Sequence, residues 1–279
     1  MLKNEFVQII ERRKNEILKE LNYSEEVIRD DIFKLLRQKS KIIFYPLEEE
    51  LDLDGFHIEK SVNGQMVAFV YINTAKNYEK CIFCGAHELG HIYEIEKDIL
   101  NEYPQEVLTM QDIDDVMNRF AAELLMPREN FKQKFEEFLM RNRKNNSVIK
   151  YSELLKTIVA LMDYYYVPYK AVVWKLWEID FLTLSGRDKF ENIEKEERDI
   201  IDAFILEGKY TRLRHPTRLK NFENLTENLK YAEENGVYGA NKIQMMKTDF
   251  DIDISIPEDK IAQTESDELD IEDFVGEYQ

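Results

Sequence analysis

Tyr78-Glu-Lys-Cys-Ile-Phe-Cys-Gly-Ala-His-Glu-Leu-Gly-His-Ile-Tyr93 is the stretch on which the fold turns. It carries no proline, and its spacing predicts a helix over residues 77–93. Inside it stands His87-Glu88-Leu89-Gly90-His91, an H-E-x-x-H pentapeptide. Residues i and i+4 share one helical face, so both imidazoles can reach one ion. Neutral imidazole suits zinc, and His87 and His91 supply two of the three or four positions zinc wants. Glu88 can hold a water on the ion and take its proton as general base, which is the chemistry of a zinc peptidase. The plainer alternative is a helix with two surface histidines and an incidental glutamate. With only four histidines in the chain, chance placement is a poor explanation.

Working outward toward the N-terminus, the period changes. Phe56–Val62 and Gln65–Asn73 flank Asn63-Gly64, a strong hairpin signal. Both alternate sets of the second strand are apolar, so both its faces are expected to be covered. Lys41–Tyr45 reads as another short strand, stopped at Pro46. Before it, Phe6, Ile9, Ile10, Ile17, Leu18 and Leu21 predict an amphipathic helix over 3–21. Ser24, followed by Glu25 and Glu26, predicts the cap of a second helix running to about Gln38.

Toward the C-terminus, residues 96–110 read as a looser stretch. Asp112-Ile-Asp-Asp-Val-Met-Asn-Arg-Phe-Ala-Ala-Glu-Leu-Leu-Met-Pro127 then reads as a helix stopped by its proline. Further helices are expected over 129–141, 152–165, 168–180 and 188–207. Arg141–Ser147 is a polar linker. The pair 152–180 has the apolar spacing of a helix-turn-helix core (Leu154, Ile158, Leu161, Met162; Val172, Val173, Leu176, Trp177). Its second helix offers only Lys170 and Lys175 as bases, against Glu178 and Asp180, which is poor for phosphate contacts. A helical hairpin completing the core is the simpler expectation. The organisation expected is residues 1–40 as N-terminal helices, 41–141 as the core, 148–240 as a helical region and 249–279 as an acidic tail.

The net charge is −18 over 279 residues. Residues 249–279 hold twelve acids and one base, or −11, which leaves −7 for the rest. Such a balance disfavours nucleic acid and anionic membranes as partners. No apolar run of about 18 residues occurs, and the N-terminus lacks a signal-peptide pattern. Two cysteines, Cys81 and Cys84, are too few for a disulfide scaffold. A lone C-x-x-C is weak evidence for zinc or redox chemistry, so two buried thiols are expected. The cytoplasm is the expected compartment. Asp249–Ile256 alternates strictly and could add a strand to a partner's sheet; a solvated tail is the alternative. Tyr93 and His57 are read as packing or surface residues.

Ala86-His-Glu-Leu-Gly-His91, followed by Asn118-Arg-Phe-Ala-Ala-Glu-Leu-Leu-Met-Pro127, resembles the ImmA/IrrE family of metallopeptidases. Asn73-Thr74 and Tyr78-Glu79 look like the family too. The resemblance covers about residues 40–140. It implies a zincin-like, mainly helical peptidase core, so the expected class is α+β with a small antiparallel sheet and a helical C-terminal region. It implies Zn2+ held by His87, His91 and an acid one turn before Asn118, with Glu88 as the catalytic residue. The matching acid is Asp114, where members usually carry glutamate, so the helix must come closer to reach the ion. Asp115 is the fallback and Glu123 a weaker one. The resemblance also implies a protein substrate, a helix-turn-helix repressor. The competing readings are a protein that sequesters such a repressor without cutting it, and a DNA-binding regulator built on the helices after residue 150.

Overall fold

The computed structural model describes residues 2–47, 53–62, 64–143, 148–196 and 198–252. Two compact units emerge, Met1–Glu223 and Asn224–Gln279. Of the stretch expected to alternate as a strand, Asp249 instead ends a helix and Phe250 and Asp251 form a turn, while residues 253–256 lie outside the described residues.

The first unit is built around helix α3 (Tyr78–Ile92), whose residues 84–86 and 88–90 are all buried. It packs against α2 (Ile32–Arg37), α4 (Ile95–Glu102), α5 (Met110–Leu125) and the strands β2 (Gly55–Val62) and β3 (Gln65–Asn73). A helix so enclosed needs small residues where neighbours come close. A Cβ on Gly90 would lie 2.8 Å from Met117 Sδ and 2.9 Å from Phe120 Cδ1, so its bare backbone lets α5 settle against the histidine end of α3. Gly55 does the same for β2, where a Cβ would lie 2.6 Å from Cys84 Sγ.

α1 (Asn4–Glu20) lays Phe6, Ile9, Ile10 and Ile17 onto α4 and α5, the stripe its period dictates. The helix expected from Ser24 onward begins only at Ile32, after a 3-10 turn over Arg29–Asp31. Arg29 lies in the left-handed region (φ 50), and its Nε donates to Tyr164 O at 2.7 Å. A long-range bond thus overrides the local capping preference. The looser stretch after α3 contains the extra helix α4, set off by the left-handed Glu94 (φ 52), with Ile95 and Ile99 in the core.

The α+β class is what the chain adopts, but the sheet is mixed rather than antiparallel. Its order is β2-β3-β1-β4, with β1 at Ser40–Tyr45 and β4 at Asn221–Phe222. β2 and β3 form the expected antiparallel hairpin, Val62 opposite Gln65. β1 runs parallel to β3, Ile42 opposite Val70. The chain leaves β1 by a connection that makes β2 first and returns along β3, so β1 and β3 share a direction. β4 closes the far edge, antiparallel to β1. β3, apolar on both faces, holds a central place, and Val70 to Asn73 are all buried.

α6 (Arg128–Asn142) follows Pro127 and packs on α7 (Tyr151–Tyr165), which turns at Tyr166 (φ 55) into α8 (Tyr169–Glu178). Over the expected 188–207, the described residues are helical on both sides of residue 197, as α9 (Leu184–Glu196) and α10 (Arg198–Glu207). Residues 214–222 then strap the start of α3. His215 O accepts from Tyr78 N, Glu79 accepts from Arg214 N, and Thr74 donates to Leu219 O. Asn73 ties down the loop beyond β1, accepting from Leu47 N and donating to Leu53 O. In the second unit α11 (Leu225–Glu234) and α12 (Ala240–Asp249) pack through Leu229, Ala232 and Ile243, and Lys247 pairs with Glu233. Among the described residues no helix is long and apolar enough to cross a membrane.

Candidate metal centre

One turn of α3 sets His87 and His91 side by side, with His91 Nε2 3.2 Å from His87 Nε2. From α5, Asp114 Oδ1 reaches 3.6 Å from His87 Nε2. Two neutral ring nitrogens at that separation turn lone pairs toward each other unless a proton or a cation lies between them. A tetrahedral zinc with bonds of about 2.0–2.1 Å separates its ligands by about 3.3 Å, so the spacing of the two imidazoles fits a shared ion and Asp114 stands a little beyond it.

Asn118, one turn beyond Asp114, orders this set. Its Nδ2 donates to Asp114 Oδ2 at 3.0 Å, so its Oδ1 must be the atom facing His87 Nδ1 at 3.1 Å. Only a protonated Nδ1 can bond that oxygen. In the neutral ring this bond selects the tautomer whose Nε2 is bare, and Asp114 keeps Oδ1 turned toward that nitrogen. Burial, with His87 close by, pushes the His91 pKa down to about 4, which keeps this imidazole neutral at physiological pH and able to bind a cation.

Glu88 is buried on the neighbouring flank of α3. Its Oε2 accepts from His57 Nδ1 at 2.9 Å, and the His57 ring centre lies 5.0 Å from that of His91. The bond to Glu88 raises the His57 pKa against the opposing effect of burial. Three of the four histidines thus gather at one place. The sequence reading gave His57 to packing or surface. The signal that could have found it is its strand position two residues after Gly55, on the same face of β2, where that strand packs on α3.

The other candidate acids go elsewhere. Asp115 bonds Gln111, and Glu123 is buried on the far side of α5 with Lys175 (2.7 Å) and Arg119 (2.6 Å). Lys175, which a DNA-binding reading of α8 needs, has no exposed side chain. Tyr93 turns away from the site to Glu20. Cys81 and Cys84 are free and buried, and burial pushes the Cys81 thiol up to about 12 and Cys84 up as well. Asp114 is the exposed member, its side chain 52% accessible, and among the described residues no three such groups are drawn together as tightly as a bound ion would hold them. The donor set fits zinc in type and spacing on the His87 side, and Asp114 has the freedom to close on it.

No curated protein matches the chain. Among solved structures it is similar to a Mycobacterium tuberculosis transcriptional regulator, with 12% identity and a TM-score of 0.41. That match spans 62% of this chain and 46% of the other, and so faint a likeness bears on neither fold nor function. Residues 36–176, just over half of the chain (141 of 279), match the Peptidase_M78 family, described as the IrrE N-terminal-like domain. The match takes in the three strands β1 to β3, the H-E-x-x-H helix and the helix that brings Asp114 and Asn118 to it. The chain belongs to this family of metallopeptidase type, whose members are typically metal-dependent.

Proposed function

We propose that the chain is a zinc-dependent endopeptidase that cuts a protein substrate in the cytoplasm, and that this substrate is a helix-turn-helix transcriptional repressor. One observation carries the reading: His87 Nε2 and His91 Nε2 meet at 3.2 Å with Asp114 3.6 Å from the first, beside a buried Glu88. His87, His91 and Asp114 would hold the ion. Zinc, when bound, polarises a peptide carbonyl and lets water give up a proton near neutral pH. His57 engages Glu88 Oε2, which leaves Oε1 to take that proton and pass it to the leaving amine. β2 is an edge strand, and a substrate segment laid along its outer side would run beside His57. The repressor as substrate is what the family resemblance implies.

The test is co-expression with a helix-turn-helix protein encoded beside this chain, with the products read by intact mass. Wild type is expected to leave two fragments, and Glu88→Gln to slow cleavage about 10²–10⁴-fold while keeping its zinc. Cleavage by Glu88→Gln at the wild-type rate, or a purified protein without zinc, overturns the proposal. One observation favours a second reading, a protein that sequesters the repressor without cutting it: Asp114 stands exposed and is not drawn in with both histidines. Under that reading Glu88→Gln relieves repression as well as wild type does, and the repressor stays intact.

A further inference from the structure

A cleft of about 550 Å³ opens in the first unit, among α6, α7, the turn at Arg29 and the segment after α10. It is not part of the histidine site. The volume is in the range that encloses a small molecule. Its charge is unlike that of the chain, which carries −18 overall. Arg29, Arg141, Lys209 and Arg212 line it, and Asp163 is the one acid among its lining residues. Arg141 is occupied on its outer side by Glu137, and the Arg29 Nε is held by Tyr164 O, which leaves that guanidinium its terminal nitrogens. Lys209 and Arg212 stand exposed on the opposite wall, Lys209 held in the left-handed region (φ 57).

Four of the other seven lining residues are aromatic, beside Asn142, Ala160 and Thr211. Tyr164, Tyr166, Tyr210 and Phe138 face the same space. The Arg212 guanidinium lies 5.6 Å from the Tyr166 ring centre and that of Arg29 lies 5.2 Å from Tyr164, so cations and rings alternate along the walls. Cationic forks suit phosphate oxygens, ring faces suit a planar base, and a lone carboxylate is an acceptor for a sugar diol.

We propose that this cleft binds a mononucleotide: phosphate toward Lys209 and Arg212, the base against the Tyr210 ring, since Arg29 and Lys134 already lie over Tyr164 and Arg212 over Tyr166, and the ribose hydroxyls on Asp163. The site is independent of the peptidase reading, since none of its residues touches the histidine cluster. It uses the basic run after residue 208 that catalysis leaves unexplained.

The experiment is isothermal titration of the full-length chain with AMP, GMP, CMP and UMP, with adenosine and inorganic phosphate as partial ligands. At least one mononucleotide is expected to saturate with a Kd below about 1 mM, and adenosine and phosphate to bind at least about tenfold more weakly. The double variant Lys209→Glu/Arg212→Glu is expected to weaken binding at least about tenfold with an unchanged melting temperature, because both side chains are exposed. Tyr210→Ala, which keeps every charge, is expected to weaken it too. No saturation by any of the four mononucleotides at about 1 mM overturns the proposal. So does affinity that survives charge reversal, or a short single-stranded oligonucleotide that binds more tightly than the mononucleotide.

Discussion

A carboxylate with one oxygen anchored and the other open is a directed base. Glu88 has that form because His57, from a different element, bonds its Oε2. Replacing His57 by Gln keeps a hydrogen-bond donor but changes its reach, and His57→Ala removes it. We expect His57→Ala to lower kcat about 10–100-fold with little change in KM or zinc content, and His57→Gln to recover part of the loss. Steady-state kinetics on a cleaved repressor, with metal analysis of each variant, checks this. Equal loss of zinc and activity would make His57 a metal-site residue instead. His87, Glu88 and His91 were legible from five consecutive letters, since helical geometry alone puts i and i+4 together. His57 was not, because 31 residues and a strand separate it from Glu88.

At the scale of elements, the contact between α3 and α5 sets the site. At Gly90 the two helices come close, and a methyl there has no room against Met117 and Phe120. Gly90→Ala gains helix propensity but forces α5 outward, which draws Asp114 away from His87. The expected result is a zinc affinity lowered about tenfold or more, read by competition with a chelator, and a loss of about 1–3 kcal/mol in stability. α5 is held from its other side by a buried ion cluster. Glu123 bonds Lys175 and Arg119, and Arg119 pairs with Glu178 at 2.8 Å. Burial works to raise the Glu123 pKa, but Lys175 and Arg119 together hold it below the ordinary carboxylate range, whereas burial prevails at Glu178 and raises it. Lys175→Met leaves Glu123 buried without its main partner, and we expect a loss of about 3–5 kcal/mol in urea unfolding at neutral pH. The sign with pH follows from linkage. A carboxylate with a lowered folded pKa stabilises the fold above its unfolded pKa, and that contribution disappears as the pH falls through the folded value. The gap between wild type and Lys175→Met is therefore expected to shrink in acid, where Glu123 in the variant takes a proton and no longer needs a cation.

For the whole molecule, a metal that binds only the folded state adds its binding energy to stability. At free zinc about 1,000 times Kd the gain is about 4 kcal/mol, which for a unit of this size raises the melting temperature on the order of 10 °C. Calorimetry before and after dialysis against a chelator is expected to show that fall, with recovery on adding zinc back. A melting curve indifferent to chelator would argue that the histidines hold no structural ion. The same measurement on Asp114→Ala tests whether the exposed acid closes on the metal.

Most helices were legible as apolar periodicity, and the hairpin as two β-rich runs about a turn pair, because those patterns depend on neighbours a few residues apart. So was the family, whose two motifs are each continuous in the chain. The sequence by itself determined that one helix would carry two imidazoles and a carboxylate on adjoining flanks. Tertiary structure alone decided that β1 lies parallel to β3, that Arg29 breaks an expected helix by reaching Tyr164, and that Lys175 is buried against Glu123 rather than offered to solvent. It also decided which acid faces the histidines. Asp112, Asp114 and Asp115 share one turn, and only the rotation of α5 about the gap at Gly90 turns Asp114 toward His87. The physical reason is common to all four: helical and strand periods are local, whereas pairing direction, burial of charge and helix rotation are set by contacts between residues far apart in the chain.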